Sequence, residues 1–196
     1  MELCLSFSNL YTYVPLYECI FIQAPVGAML AQRNPSSIGR LMLTSPPTYK
    51  DMTTAIPPKE LETNYNFLRS PILGNAAFRL LETRGIIRFF SDLFLFQDKC
   101  QEEWLDNTEK GSSREARPPI QAFNAGLMQH RSFEQELRML TQPTMVVSGG
   151  GDLRVKDRIL YGGEMEQCTM RTIDGLNVLP WENPRGVIEL IKEMGQ

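Results

Sequence analysis

In 196 residues the sequence holds one histidine, His130. Proton transfer near neutral pH falls to histidine more than to any other side chain. One histidine therefore leaves few acid–base arrangements open. Cysteine is sparse too. Cys4, Cys19, Cys100 and Cys168 are scattered and form no C-x-x-C pair. No zinc site is expected, and the pattern fits a reducing, intracellular compartment. Positive charge is absent from residues 1–32, which contain no Lys or Arg. A secretory signal needs a basic start, and an organelle transit peptide is Arg-rich and acid-poor. Glu2 and Glu18 fit neither pattern, so no targeting segment is evident. No apolar run approaches the ~18 residues of a spanning helix, and no integral membrane segment is expected. A net charge of −3 lacks the clustered positive surface that nucleic acid requires. Nothing calls for a cofactor or a metal.

What is present is the composition of a soluble globular protein, 42% hydrophobic and 22% charged. Such a length makes one domain or slightly more and buries roughly 70% of its unfolded surface.

The organising stretch is Cys19 to Pro47. Cys19–Gln23 is a short apolar run that reads as a strand. Pro25 suits the first turn of a helix, where its missing N–H costs nothing. Val26, Met29 and Leu30 recur at helical spacing. Asn34-Pro35 ends that helix, because the residue before proline is driven out of the α region. Leu41–Thr44 is a second buried strand, closed by Pro46-Pro47. Strand, helix and strand make a βαβ unit, the building block of parallel sheets. Ahead of it, Met1–Tyr17 alternates weakly and reads as an edge strand or a poorly ordered tail.

After Pro47 the periodicity turns helical. Helices are expected at Lys59–Leu68, Ile72–Leu81, Ile86–Phe96, Gln101–Thr108, Ile120–Met128 and Ser132–Leu140. Ser132 and Gln135 stand at capping-box spacing in the last of these. Ile86–Phe96 is apolar on nearly every face, as in a helix that is buried or set against a partner. Strands return at Thr144–Ser148 and Thr169–Ile173, and Val187–Met194 is a closing amphipathic helix. The order is β-α-β, a helical insertion, then β-α-β-α, an α/β layered fold with a mostly parallel sheet.

Candidate site residues are few. Asp152 ends the turn Gly149–Gly151 after a buried strand, and is either a residual catalytic acid or a turn residue capping the next helix. Gly149–Gly151 reads as a tight turn ahead of a phosphate nest, since G-K-[ST] is missing. Ser45 and Ser148 lie at strand C-termini, where α/β sites form, but neither has an adjacent base. His130 reads as a solvated or capping residue.

Three stretches in this order, APVGAMLAQRNPSSIGRLMLTSPP, PTMVVSGGGD and IDGLNVLPWENPRGVIELIKEM, resemble the second half of an α/β-hydrolase. The closest flavour is that of plant plastid members, which implies a chloroplast setting. The resemblance implies a partial α/β-hydrolase fold with residues 19–47 and 141–196 as core, residues 48–140 as a helical cap, and residues 1–18 as a divergent segment. It implies hydrolysis of ester-like bonds by a Ser–His–Asp set, with Asp152 at the acid position and a small apolar ester or lipid-like molecule as ligand. The departures are specific. The family elbow is G-x-S-x-G, a strained turn that lifts its serine above the sheet. That serine position falls on Phe21 and the second glycine on Gln23. The base position falls near Asn177 or Val178. The early strands, one of which supplies an oxyanion N–H, have no counterpart, and residues 1–23 read as a truncated or alternatively spliced product. Loss of activity is therefore expected, with a binding role for the apolar helical region as the alternative. The exposed sheet edge predicts self-association.

Overall fold

The computed structural model describes residues 6–7, 16–20, 24–48, 50–51, 57–111, 117–125 and 133–195. His130, Phe21, Gln23 and Ser132 lie outside the described residues. The chain divides into two compact units: Met1–Asp51 with Ser132–Gln196, and Met52–Arg131.

The first unit is built on a five-stranded sheet in the order β1-β2-β3-β4-β5. These are Ser6–Phe7, Leu16–Ile20, Arg40–Thr44, Thr144–Gly149 and Cys168–Ile173. β1 pairs antiparallel with β2, and the remaining pairs are parallel. The N-terminal segment thus supplies an edge strand. β2 starts and ends three residues before the run Cys19–Gln23 that reads as a strand in sequence. Its register, Leu16 opposite Arg40 through Ile20 opposite Thr44, matches β3 along its full length.

β3 and β4 are central, and their apolar runs follow from burial on both faces. Met42 and Met145 are register partners, as are Thr44 and Val147. Met42, Met145 and Val147 meet Leu179, Val187 and Leu190, with Ile173, Ile191 and Met194 packed alongside. Leu179 lies in the short helix Leu179–Glu182 (α9), and Val187, Leu190, Ile191 and Met194 in Pro184–Gly195 (α10). Residues alternate across a strand, so Leu41, Leu43 and Val146 face the other side.

Helix α1, Ala24–Arg33, packs on β2 and β3. Its buried residues are Ala24, Ala28 and Ala31, while Val26 and Leu30 are exposed. The larger apolar residues mark the wrong face, because a helix lying close on a sheet favours small side chains. The short helix α7, Glu134–Arg138, groups with this unit and packs on α1, with Leu137 fully buried. Its N-cap is Phe133, which makes no side-chain cap bond.

The second unit holds α2 Pro58–Arg69, α3 Leu73–Leu81, α4 Arg84–Phe94, α5 Glu102–Gly111 and α6 Arg117–Asn124. Gln121 donates to the Leu68 carbonyl at 2.9 Å, tying α6 to α2. Arg117 pairs with Glu82 at 3.1 Å and lies 5.1 Å from the centre of the Phe78 ring. α4 is not buried on every face: Phe89, Phe90, Leu93 and Phe94 are exposed, and its buried residue is Ser91. Ser91 is drawn inward by the Trp104 indole of α5, which donates to its hydroxyl at 2.9 Å. No helix among the described residues is long and apolar enough to cross a membrane.

Candidate functional site

Sites in open parallel sheets form at the carboxyl ends of the strands. Here that edge carries Ser45 after β3, the turn Gly149–Gly151 at the end of β4, Asp152 beyond it, and the loop 174–177 after β5. Helix α8, Val155–Glu164, follows Asp152 and packs on β4 and β5.

Two amides of the glycine turn are already spent within the fold. The Gly150 N–H donates to the Ile173 carbonyl at 2.8 Å, and that of Gly151 to the Gly175 carbonyl at 3.1 Å. A Cβ on Gly149 would stand 2.3 Å from the carbonyl oxygens of both Gly175 and Leu176. Only glycine allows that approach. Gly175 has φ +128°, outside the range of other residues. The loop is held further by the Ser45 hydroxyl, which donates to the Leu176 carbonyl at 3.1 Å. The Leu176 N–H donates to Glu182 Oε2 at 2.7 Å.

Asp152 is 6% exposed, and both its oxygens are engaged. Oδ1 accepts from the Arg154 N–H at 2.9 Å and from Arg154 Nε at 3.1 Å. Oδ2 accepts from Arg158 Nη1 at 2.7 Å. The helix N-cap is Arg154, two residues on, so Asp152 shapes the turn into α8 without being the cap itself. Arg154 Nη2 donates to Asn177 Oδ1 at 3.2 Å. One guanidinium thus bridges Asp152 and Asn177, the residues at the acid and base positions of the family resemblance. Arg158 is completely buried, and its Nε donates to the Pro46 carbonyl at 2.6 Å. Burial pushes the Asp152 carboxyl up, but the Arg154 N–H, the charge on Arg158 and the two guanidinium hydrogen bonds outweigh it and hold the group below its ordinary value. Arg158 stays charged despite its burial, as arginine does in proteins.

Ser45 and Ser148 are both buried. Ser45 takes a left-handed backbone, φ +47°, and its hydroxyl is spent on the loop. The Ser148 hydroxyl has no hydrogen-bond partner. Cys100 and Cys168 are free thiols, each pushed up to about 11, Cys168 by burial and Cys100 by burial together with Asp92. Neither is a ready thiolate nucleophile at neutral pH. Among the described residues no three His, Cys, Asp or Glu side chains gather as a metal site would need.

The structure thus joins Asp152 to Asn177 and ties Ser45 to the same loop. Sequence reasoning missed Arg154, Arg158 and Tyr161. The signal for the first two was faint: arginines two and six residues after an aspartate, one helical turn apart.

No family model matches the chain, and no curated protein does. Solved structures do match. An esterase from Thermogutta terrifontis is 15% identical with a TM-score of 0.64, over 91% of this chain and 63% of its own. A haloalkane dehalogenase variant from Agrobacterium tumefaciens is 16% identical with a TM-score of 0.59, over 91% and 65%. A deformylase from Pseudomonas putida is 16% identical with a TM-score of 0.61, over 90% and 65%. The chain therefore spans slightly under two thirds of these structures. All three are α/β-hydrolase-fold enzymes, and identities this low speak to architecture alone: this chain has a partial α/β-hydrolase fold.

Proposed function

We propose that this chain is an α/β-hydrolase-like protein without serine-hydrolase activity of its own. One observation carries the reading: Arg154 occupies Asp152 Oδ1 and Asn177 Oδ1 together. A catalytic acid in this fold must accept from a histidine N–H, and it orients that histidine for a serine. Here the acid position binds two guanidinium groups, and the base position holds an amide that takes no useful proton. The family elbow aligns its serine with Phe21, which offers no nucleophile. The only histidine, His130, precedes Asp152 in the chain, whereas the family order is Ser, acid, His.

A working triad that loses its nucleophile or base retains roughly 10³–10⁴-fold enhancement, from the oxyanion hole and substrate binding. Here the Asp152 carboxylate is itself spent on two guanidinium groups, so even less is expected. Purified protein should turn over short p-nitrophenyl esters at the buffer rate and resist a fluorophosphonate label. Turnover well above buffer that falls in Asp152→Asn would overturn the reading and mark Asp152 as a working acid.

A second reading has its own support. Phe89, Phe90, Leu93 and Phe94 of α4 are all exposed, with Phe90 and Phe94 stacked at 6.0 Å. An apolar patch of this kind suits a lipid-like ligand or a protein partner. Saturable quenching of a lipid-attached fluorophore, lost in Phe90→Ser with Phe94→Ser, would support it. No binding would leave the patch without this role.

A further inference from the structure

We infer that Asp152 serves a structural role. It holds Arg158 as a strut that, with Tyr161, pins residues 45–48, the strap by which the chain leaves the sheet after β3. This goes beyond the inactive-hydrolase reading and stands whether or not ester turnover is found.

The middle of the strap, Pro46-Pro47, cannot hold itself to the sheet. Pro46 and Pro47 have no N–H to give to a ladder, and Ser45 has already left the extended conformation at φ +47°. Only their carbonyls remain for anchoring. Both are taken by one helix. Arg158 Nε donates to the Pro46 carbonyl at 2.6 Å, and the Tyr161 hydroxyl donates to the Pro47 carbonyl. Residues 158 and 161 are three apart and so share a face of α8. Both are fully buried.

The Asp152 carboxylate makes that placement tenable. A completely buried guanidinium needs a counter-charge, and Asp152 Oδ2 provides it at 2.7 Å. Either side of the two prolines is tied as well. The Ser45 N–H donates to the Val147 carbonyl at 2.7 Å and its hydroxyl to Leu176. The Thr48 N–H donates to Asp51 Oδ2 at 2.9 Å, and the Asp51 N–H returns to Thr48 Oγ1 at 3.1 Å.

Amide hydrogen exchange on the full chain tests the strut. The reporters are the amides of Thr48, in the strap, and of Asp51, bonded to it just beyond. The controls are the Leu41 and Thr144 amides, bonded to Pro143 and Gln167 carbonyls within the same unit. Tyr161→Phe removes one strap bond and leaves the ion pair intact. It should raise exchange at Thr48 and Asp51 about fivefold relative to the controls, the scale of one lost hydrogen bond. Arg158→Lys keeps a charge but cannot reach Asp152 and Pro46 at once as the guanidinium does, and should do the same. Should Arg158→Lys unfold, Tyr161→Phe alone decides. Equal acceleration at all four amides in Tyr161→Phe, or none at any, would overturn the proposal.

Discussion

The two units use the same chemistry, arginine against carboxylate, in opposite settings. In the sheet unit Arg158 meets one carboxylate, Asp152, with both side chains buried. In the helical unit Arg84 meets three, Glu102 at 2.6 Å, Asp106 at 2.8 Å and Glu109 at 2.7 Å, and every partner is exposed. By count the helical network is the richer. In the cost of losing one partner the order reverses. Water screens the exposed cluster whether or not the pairs form, so making them gains little. The buried pair cannot fall back on water, so losing either half strands the other. Ion pairs in this chain inform on stability only once their burial is known.

The comparison breaks most sharply at Asp152. Asp152→Ala should cost about 3–5 kcal/mol, because Arg158 stays buried without its counter-charge. Urea unfolding followed by circular dichroism measures it. Asp152→Leu combined with Arg158→Met removes both charges, and should recover most of the loss or exceed wild type by about 1–4 kcal/mol. A double variant as weak as Asp152→Ala would mean that the strap bond to Pro46, and not the buried charge, carries the cost.

Gly149→Ala should follow, at about 1–3 kcal/mol, the range of forced overpacking. Its Cβ would press on two backbone carbonyls, which cannot swing aside as a side-chain end does. Gly163→Ala in α8, where a Cβ meets nothing within 4 Å, is the matched control and should not destabilise.

Acid separates the units next. The Asp152 carboxyl is held below its ordinary 3.8. A carboxyl with a depressed folded value contributes stability above its unfolded value and loses it as pH falls through the folded one. The contribution should therefore be constant from neutrality down to about pH 4 and decline below. Glu102, lowered through its bonds to Arg84 and Arg88, shifts in the same direction but sits in water. Replacing Glu102 with Gln should leave the acid limb almost unchanged, whereas Asp152→Asn should flatten it.

How much of this was legible in the sequence follows the same division. β3 and β4 stand out because a strand buried on both faces carries an unbroken apolar run, and Leu41–Leu43 and Met145–Val147 are such runs. α10 shows because Val187, Leu190, Ile191 and Met194 lie on one face of a helix packed on one side. α1 and α4 mislead for a shared reason: periodicity reports where large apolar groups are, not which face a neighbour can approach. α1 buries alanines and exposes Val26 and Leu30, while α4 turns Ser91 inward because an indole needs an acceptor. The candidate site was legible only as separate positions, Asp152 first among them, with Ser45 and Asn177. Arg154 and Arg158, two and six residues past Asp152, bind it, and Arg154 reaches on to Asn177, 25 residues away from Asp152, only because the folded sheet edge brings them together.

The smallest effect expected is at Arg84, and it sharpens the contrast because it should nearly vanish. Arg84 is drawn above its ordinary value, first by the Glu102 hydrogen bond and then by Asp106, with Glu109 adding to them. That shift describes a comfortable charge, not a stabilising one, since the side chain is 37% exposed and its partners between 38% and 66%. Glu102 also serves Arg88, so removing Arg84 leaves that carboxylate a second partner. Arg84→Gln should lower the urea midpoint slightly at low salt. At about 1 M sodium chloride, where the screening length is about 3 Å, the difference should disappear. The low-salt loss isolates the Coulomb part, because glutamine keeps most of the packing. A loss that persists unchanged at high salt would show that Arg84 works by packing its stem against the helices, and the contrast with Arg158 would then be one of degree.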